Sequence, residues 1–156
     1  MDTKHLTTLG LVRRGGDILL IRRKREPNKG LFVAPGGKIR LRESPHECVL
    51  REVEEETGLE PTAAKLSAII TQVAPVRGQQ WMLFVYRIDR FRGRLRGTPR
   101  EGAPTWVSIR SVVHGEIPIP EADRVFMPRL LGRQVGVLSM KFEHRKDLSV
   151  GTWKVE

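Results

Sequence analysis

One cysteine, one tyrosine and no long apolar run set the first limits on this chain of 156 residues. The lone Cys48 excludes an intramolecular disulfide and fits a reducing compartment. No stretch approaches the ~18 apolar residues of a membrane-crossing helix, and the N-terminus lacks a signal-peptide pattern. The expectation is a cytoplasmic protein without a membrane partner. The four histidines lie far apart, at positions 5, 46, 114 and 144, without the spacing of a zinc site. No repeat, low-complexity tract or linker divides the sequence, so residues 1–156 read as a single domain, long enough for a substantial core.

Acidic residues are also scarce, 18 against 28 lysines and arginines, for a net charge of +10. Their distribution is uneven. Residues 43–60 hold seven of the eighteen acids and one of the twenty-eight basic residues. Such a basic body around an acidic patch would steer polyanions inward.

The acidic patch falls on a predictable helix. Ser44 is a good N-cap, Pro45 suits the first helical position, and Glu47 completes a capping box. Gly58 offers the C-terminal stop. Val49 and Val53, with Leu50, give an apolar stripe that can pack on a sheet. Glu52, Glu55 and Glu56 stand at i, i+3 and i+4, so their carboxylates share a face. Arg51 is placed to reach Glu47 or Glu55. Glutamates at a helix C-terminus are disfavoured by a few tenths to about 1 kcal/mol each, and they repel one another as well. A bound cation accounts for a chain that keeps them. Oxygen donors at this pitch suit Mg²⁺, or Mn²⁺, and magnesium completes its shell with water and substrate phosphates.

The spacing itself is specific. Gly37, Glu43, Arg51-Glu52-Val53, Glu55-Glu56 and Gly58-Leu59 match every fixed position of the Nudix box, GX5EX7REUXEEXGU, and the chain resembles the Nudix hydrolase family. Pro35-Gly36-Gly37-Lys38-Ile39 resembles the loop before that helix in the MutT-like branch. Arg100-Glu101-Gly102-Ala103-Pro104-Thr105-Trp106 resembles its later acidic loop. The resemblance implies an α/β fold, a Nudix-type α/β/α sandwich with a mixed β-sheet, that cleaves a nucleoside diphosphate linked to another group. It further implies that Glu52, Glu55, Glu56 and the Gly37 carbonyl hold the metal, with Glu52 also a candidate base. Glu43 and Arg51 would orient them, and Glu101 would be a distal acid at the same metals. The implied reaction is in-line attack of water on a phosphorus of the pyrophosphate link, the cation lowering that water's pKa.

Substrate choice rests on fewer residues. Arg23, Lys38 and Asp123 are the candidate substrate contacts. In the MutT-like branch the segment matching Ala122-Asp123 helps to read the base, which favours a nucleoside triphosphate pyrophosphohydrolase for oxidised purines such as 8-oxo-dGTP. Val33 stands where some of those enzymes place an asparagine, and Ala122 has no polar reach. ADP-ribose pyrophosphatase is the alternative, since a proline commonly follows the box by about sixteen residues in that branch, where Pro75 falls. Tyr86 comes too late to match the diadenosine polyphosphate hydrolases. From a different class, Arg22–Arg25 and the arginines from 87 to 100 suggest a nucleic-acid-binding module on the same scaffold, or an RNA 5′-end pyrophosphohydrolase.

The remaining sequence predicts strands over Leu6–Arg13, Asp17–Arg22, Leu31–Val33, Leu66–Val73, Gln80–Ile88, Thr105–Ile109, Gly136–Phe142 and Leu148–Lys154. A second helix is predicted over Glu121–Leu131. Trp81, Phe84 and Tyr86 read as core of one strand. Cys48 reads as a small buried residue of the first helix.

Overall fold

The computed structural model describes residues 1–97, 102–133 and 136–156. Strands β1 (Thr3–Arg14) and β2 (Asp17–Arg22) form a hairpin about Gly15-Gly16, followed by β3 (Phe32–Val33). Helix α1 (Pro45–Thr57) leads through Gly58 into β4 (Leu59–Ala74), then a 3₁₀ turn at Pro75–Arg77 and β5 (Gln79–Gly93). Strand β6 (Pro104–Ser108), helices α2 (Ile109–Val113) and α3 (Glu121–Leu131), and strands β7 (Leu138–His144) and β8 (Val150–Val155) complete the described elements.

The strands join in the order β3-β2-β1-β5-β4-β7-β8, with β6 on the free side of β2. The pairs β1·β5 and β4·β7 are parallel and the rest antiparallel, so the sheet is mixed, as expected. Because strand side chains alternate between faces, β1 sends Leu11 one way and Val12 the other. β5 likewise divides Leu83 and Val85 from Phe84, Tyr86 and Ile88. The first face is covered by α2 and α3, where Phe126, Met127 and Leu130 are fully buried against Ile70, Met140 and Phe142. The second is covered by α1 through Val49 and Val53, on Val12, Leu19, Tyr86 and Ile88. Burying each such side chain contributes about 1.5–3 kcal/mol. Two helical layers on one mixed sheet give the α/β/α sandwich.

The structure corrects the sequence reading in detail. Trp81, Phe84 and Tyr86 do join the core, but from both faces of β5, Trp81 on the α3 side and Phe84 and Tyr86 on the α1 side. Ile109 opens α2 instead of ending a strand. β4 starts directly after Gly58, and register shifts between Pro61 and Ala68 break the alternation that would have revealed its first half. Among the described residues no helix is long and apolar enough to cross a membrane.

Candidate active site

Helix α1 is fixed at both ends as its sequence dictates. The Ser44 hydroxyl accepts from the Glu47 N–H at 3.0 Å, and the Ser44 N–H donates to Glu47 Oε1 at 3.1 Å. Gly58 closes the helix in the left-handed region, φ 78°, donating its N–H to the Glu54 carbonyl at 2.9 Å. Glu47 is therefore engaged in the cap. Arg51 does not reach it.

Arg51 instead organises the acids around the helix. Its Nε and Nη2 grip both oxygens of Glu43 at 2.6 and 2.9 Å, a bidentate pair. Nη1 donates to Glu52 Oε1 at 2.8 Å and to Glu55 Oε2 at 3.2 Å, while Nη2 also meets the Lys38 carbonyl at 3.3 Å. One guanidinium thus ties the loop before the helix to three carboxylates. The Arg51 hydrogen bond, joined by that from the Arg40 N–H, holds the Glu43 carboxyl down at about 2. Glu43 in turn raises the Arg51 pKa. What this network contributes to stability is present above the ordinary carboxylate range and is lost only as pH falls through about 2.

The Gly-Gly pair sits where nothing larger fits. A Cβ on Gly36 would lie 1.9 Å from the Thr8 carbonyl oxygen, and one on Gly37 would lie 2.5 Å from Glu52 Oε1. The loop is laid against β1 through Thr8 N–H to the Gly37 carbonyl at 2.9 Å and Gly10 N–H to the Pro35 carbonyl at 2.7 Å. The Gly36 N–H reaches Glu56 Oε2 at 3.3 Å, so loop backbone and helix carboxylate meet directly. Cys48 lies beneath, 3.3 Å from Thr8 Oγ1 and 3.5 Å from the Lys38 carbonyl. Burial raises its pKa, so it packs as a thiol, as the sequence suggested. Two substitutions should separate packing from chemistry. Gly36→Ala is expected to destabilise the fold by ~1–3 kcal/mol through overpacking against backbone, read by urea unfolding. Gly37→Ala meets only a side-chain end, so it should displace Glu52 and lower turnover more than it lowers stability.

Glu52 and Glu56 are half-buried, whereas Glu54 and Glu55 are exposed. Gly37, Glu43, Arg51, Glu52, Glu55 and Glu56 therefore come together at one junction of loop and helix. Among the described residues, no three His, Cys, Asp or Glu side chains form a ready-made metal cage. Glu52 and Glu55 share Arg51, and Glu56 leans on the loop. Lys38 is exposed on the loop beside them. Arg23 spends its Nε on the carbonyls of Pro27, at 2.7 Å, and Arg25, at 3.4 Å, so it shapes the loop after β2. Glu101 lies outside the described residues. Asp123 sits in the first turn of α3, 7% exposed, and burial raises its pKa to about 7. The chain entering α3 is tied to β3 by the Phe32 N–H donating to the Pro118 carbonyl at 2.8 Å. Sequence reasoning missed the Gly36 amide as a partner of Glu56 and the Lys38 carbonyl as a partner of Arg51. Backbone groups leave no signal beyond the glycines that admit them.

The histidines are structural or exposed. His5 Nε2 lies 2.7 Å from Gln79 Oε1 and its ring stacks on Trp81, while His144 bridges Gln72 and the Leu148 carbonyl. Pro75 opens the 3₁₀ turn between β4 and β5.

This geometry has relatives. A family model described as NUDIX domain matches residues 3–130. An ADP-ribose pyrophosphatase of Methanocaldococcus jannaschii is 43% identical over 87 residues, 56% of this chain. The matched stretch spans 52% of that relative, about half its length. The 8-oxo-dGTP diphosphatase of Escherichia coli is 32% identical over 65% of this chain and 78% of its own. In structure, a mutator MutT protein of Bacillus halodurans superimposes with a TM-score of 0.83 at 28% identity, covering 97% of both chains. The box junction, the mixed-sheet sandwich and the matched family agree, and the chain belongs to the Nudix family, MutT-like in its structure.

Proposed function

We propose that this hydrolase is a Mg²⁺-dependent nucleoside triphosphate pyrophosphohydrolase that releases a nucleoside monophosphate and pyrophosphate, with oxidised purine nucleotides such as 8-oxo-dGTP as preferred substrates. The donor chemistry fits the cation: Glu52, Glu55, Glu56 and the Gly37 carbonyl supply hard oxygen atoms, and the Gly37 Cα leaves room beside Glu52 that a Cβ would fill. Mg²⁺, or Mn²⁺, bound there would neutralise phosphate charge and acidify the attacking water. Glu52 takes the proton of that water. Arg51 orients Glu52 and Glu55 through its Nη1 while Glu43 anchors Arg51. Lys38 and Arg23 meet the phosphate chain, and Glu101 adds a further acid at the cation.

Asp123 carries the base preference. A buried carboxyl whose pKa lies at about 7 offers an O–H donor as well as an acceptor at neutral pH. An oxidised purine presents an added carbonyl and an N–H in place of a lone pair, so such a group can read the changed edge. Val33 and Ala122 bring no polar atom to that task. The test is the ratio of kcat/KM for 8-oxo-dGTP over dGTP. The reading expects a ratio above ten, and a ratio near one would remove the oxidised-purine preference.

A second reading, ADP-ribose hydrolysis, is supported by the 43% identity to the protein named ADP-ribose pyrophosphatase and by the position of Pro75. Its signature product pair is AMP and ribose 5-phosphate.

A further inference from the structure

Strand β1 changes partner near its end. Its last pairs with β5 are Leu11 with Arg87 and Val12 with Ile88, after which Arg13 and Arg14 pair with Ile18 and Asp17 of β2. The two strands part there, and a cavity of about 450 Å³ opens between them, lined by Arg13, Arg14, Thr62, Asp89, Arg90 and Phe91. Asp89 also lines a neighbouring cavity of about 270 Å³, with Lys65 and Arg87. The two make a trough with five cationic side chains and one carboxylate. That carboxylate is engaged, since Asp89 Oδ2 accepts from Arg87 Nε at 3.1 Å.

Arg13 is the unusual member. Its Nε and Nη1 are buried without a hydrogen-bond partner among the described residues. Leaving charged donors unpaired costs more than the ~1–3 kcal/mol of a neutral buried group. Arg14, by contrast, is held over the Trp106 ring at 4.2 Å, with Phe91 stacked on that ring. The trough therefore has an aromatic and cationic wall, a guanidinium with two buried N–H groups that lack acceptors among the described residues, and an exposed cation, Arg90, on its rim.

We propose that this trough is a second anion site, which binds a chain of phosphates by turning the Arg13 fork toward them, apart from the box junction. The separation follows from the fold. Arg13 lies five residues along β1 from Thr8, which bonds Gly37, or about 16 Å at ~3.3 Å per residue. Arg13 itself leaves β1 on the Leu11 face, opposite α1, whereas Arg14 follows Val12 and meets Trp106 and Phe91 on the other face, so the trough lies at the end of the strands. The trough adjoins the C-terminal end of α3, where Arg87 Nη1 meets the Gly132 carbonyl at 3.3 Å. Asp123 is at the other end of that helix. Phosphate is the matching chemistry because bidentate guanidinium forks suit its oxygens. A free polyphosphate and a nucleic-acid backbone both present it.

The test is calorimetric titration of the full chain with inorganic tripolyphosphate in EDTA, where the box acids without a cation repel the probe. Wild type and a Glu52→Gln/Glu56→Gln variant should bind alike, while Arg13→Gln should weaken binding about tenfold or more. Arg90→Glu, changed only at the exposed rim, should also weaken it and keeps the test valid if Arg13→Gln fails to fold. Competition by a single-stranded oligonucleotide with a 5′-hydroxyl would identify a nucleic-acid backbone as the source, and its absence a free phosphate chain. Equal affinity in wild type, Arg13→Gln and Arg90→Glu, or binding altered only by the box substitutions, would overturn the proposal.

Discussion

Glu52→Gln is expected to lower kcat by ~10²–10⁴-fold, the usual effect of removing one general base, with the fold intact. The isosteric amide can still accept from Arg51 Nη1, which sits 2.8 Å from the Glu52 carboxylate, so the network around Glu43 survives. What the amide cannot do is take a proton. Raising Mg²⁺ should not restore the rate, whereas Glu55→Gln and Glu56→Gln, which weaken the cation's hold, should recover in part at high Mg²⁺. Steady-state kinetics across a Mg²⁺ series, with unfolding midpoints recorded for each variant, separates the two behaviours. Near-wild-type turnover in Glu52→Gln would end its assignment as the base.

The second large effect concerns stability. Asp123 has a pKa of about 7 in the folded protein because it is buried, against ~3.9 in an unfolded chain. Between those values the unfolded state has released the proton and the folded state keeps it, so stability falls as pH rises. Below about 4 both states are protonated, and above about 7 both are ionised, so the slope is confined to that window. Its full extent is on the order of 4 kcal/mol as a ceiling. Asp123→Asn should abolish the slope and make the protein more stable than wild type at pH 8. Urea unfolding at pH 5 and pH 8 measures it. An unchanged pH dependence in Asp123→Asn would place the titrating group elsewhere. Because the same carboxyl is assigned to base reading, the variant should also lose preference for 8-oxo-dGTP over dGTP while hydrolysing both.

Much of this was legible before any coordinates. Helix α1 runs from Pro45 to Thr57 because Ser44, Glu47 and Gly58 encode both ends locally, and α3 spans the expected Glu121–Leu131. The box residues converge because their spacing on a helix and its leading loop leaves few other arrangements. Arg51 was harder: the i−4 partner Glu47 was plausible by spacing, but capping Ser44 had already engaged it. Glu43, eight residues away, won through a loop geometry that helix periodicity does not describe. Strand lengths failed where bulges shift β4 between Pro61 and Ala68. The five-residue α2 is too short to show a period. The Arg13 trough could not be read at all, since it depends on where β1 leaves β5 for β2.

The net charge of +10 invites a nucleic-acid reading, yet the box acids gathered around Arg51 form the junction to which the proposed hydrolysis is assigned. The second anion site offers that excess charge a separate place. Loss of tripolyphosphate binding in Arg13→Gln with full hydrolysis, and the reverse in Glu52→Gln, would show two independent sites on one sheet.

The most direct measurement is product-resolved hydrolysis of 8-oxo-dGTP, dGTP and ADP-ribose with Mg²⁺, repeated in EDTA. The account predicts monophosphate and pyrophosphate from the triphosphates, fastest from 8-oxo-dGTP, and no product in EDTA. AMP and ribose 5-phosphate as the dominant products, or turnover that persists in EDTA, would contradict it.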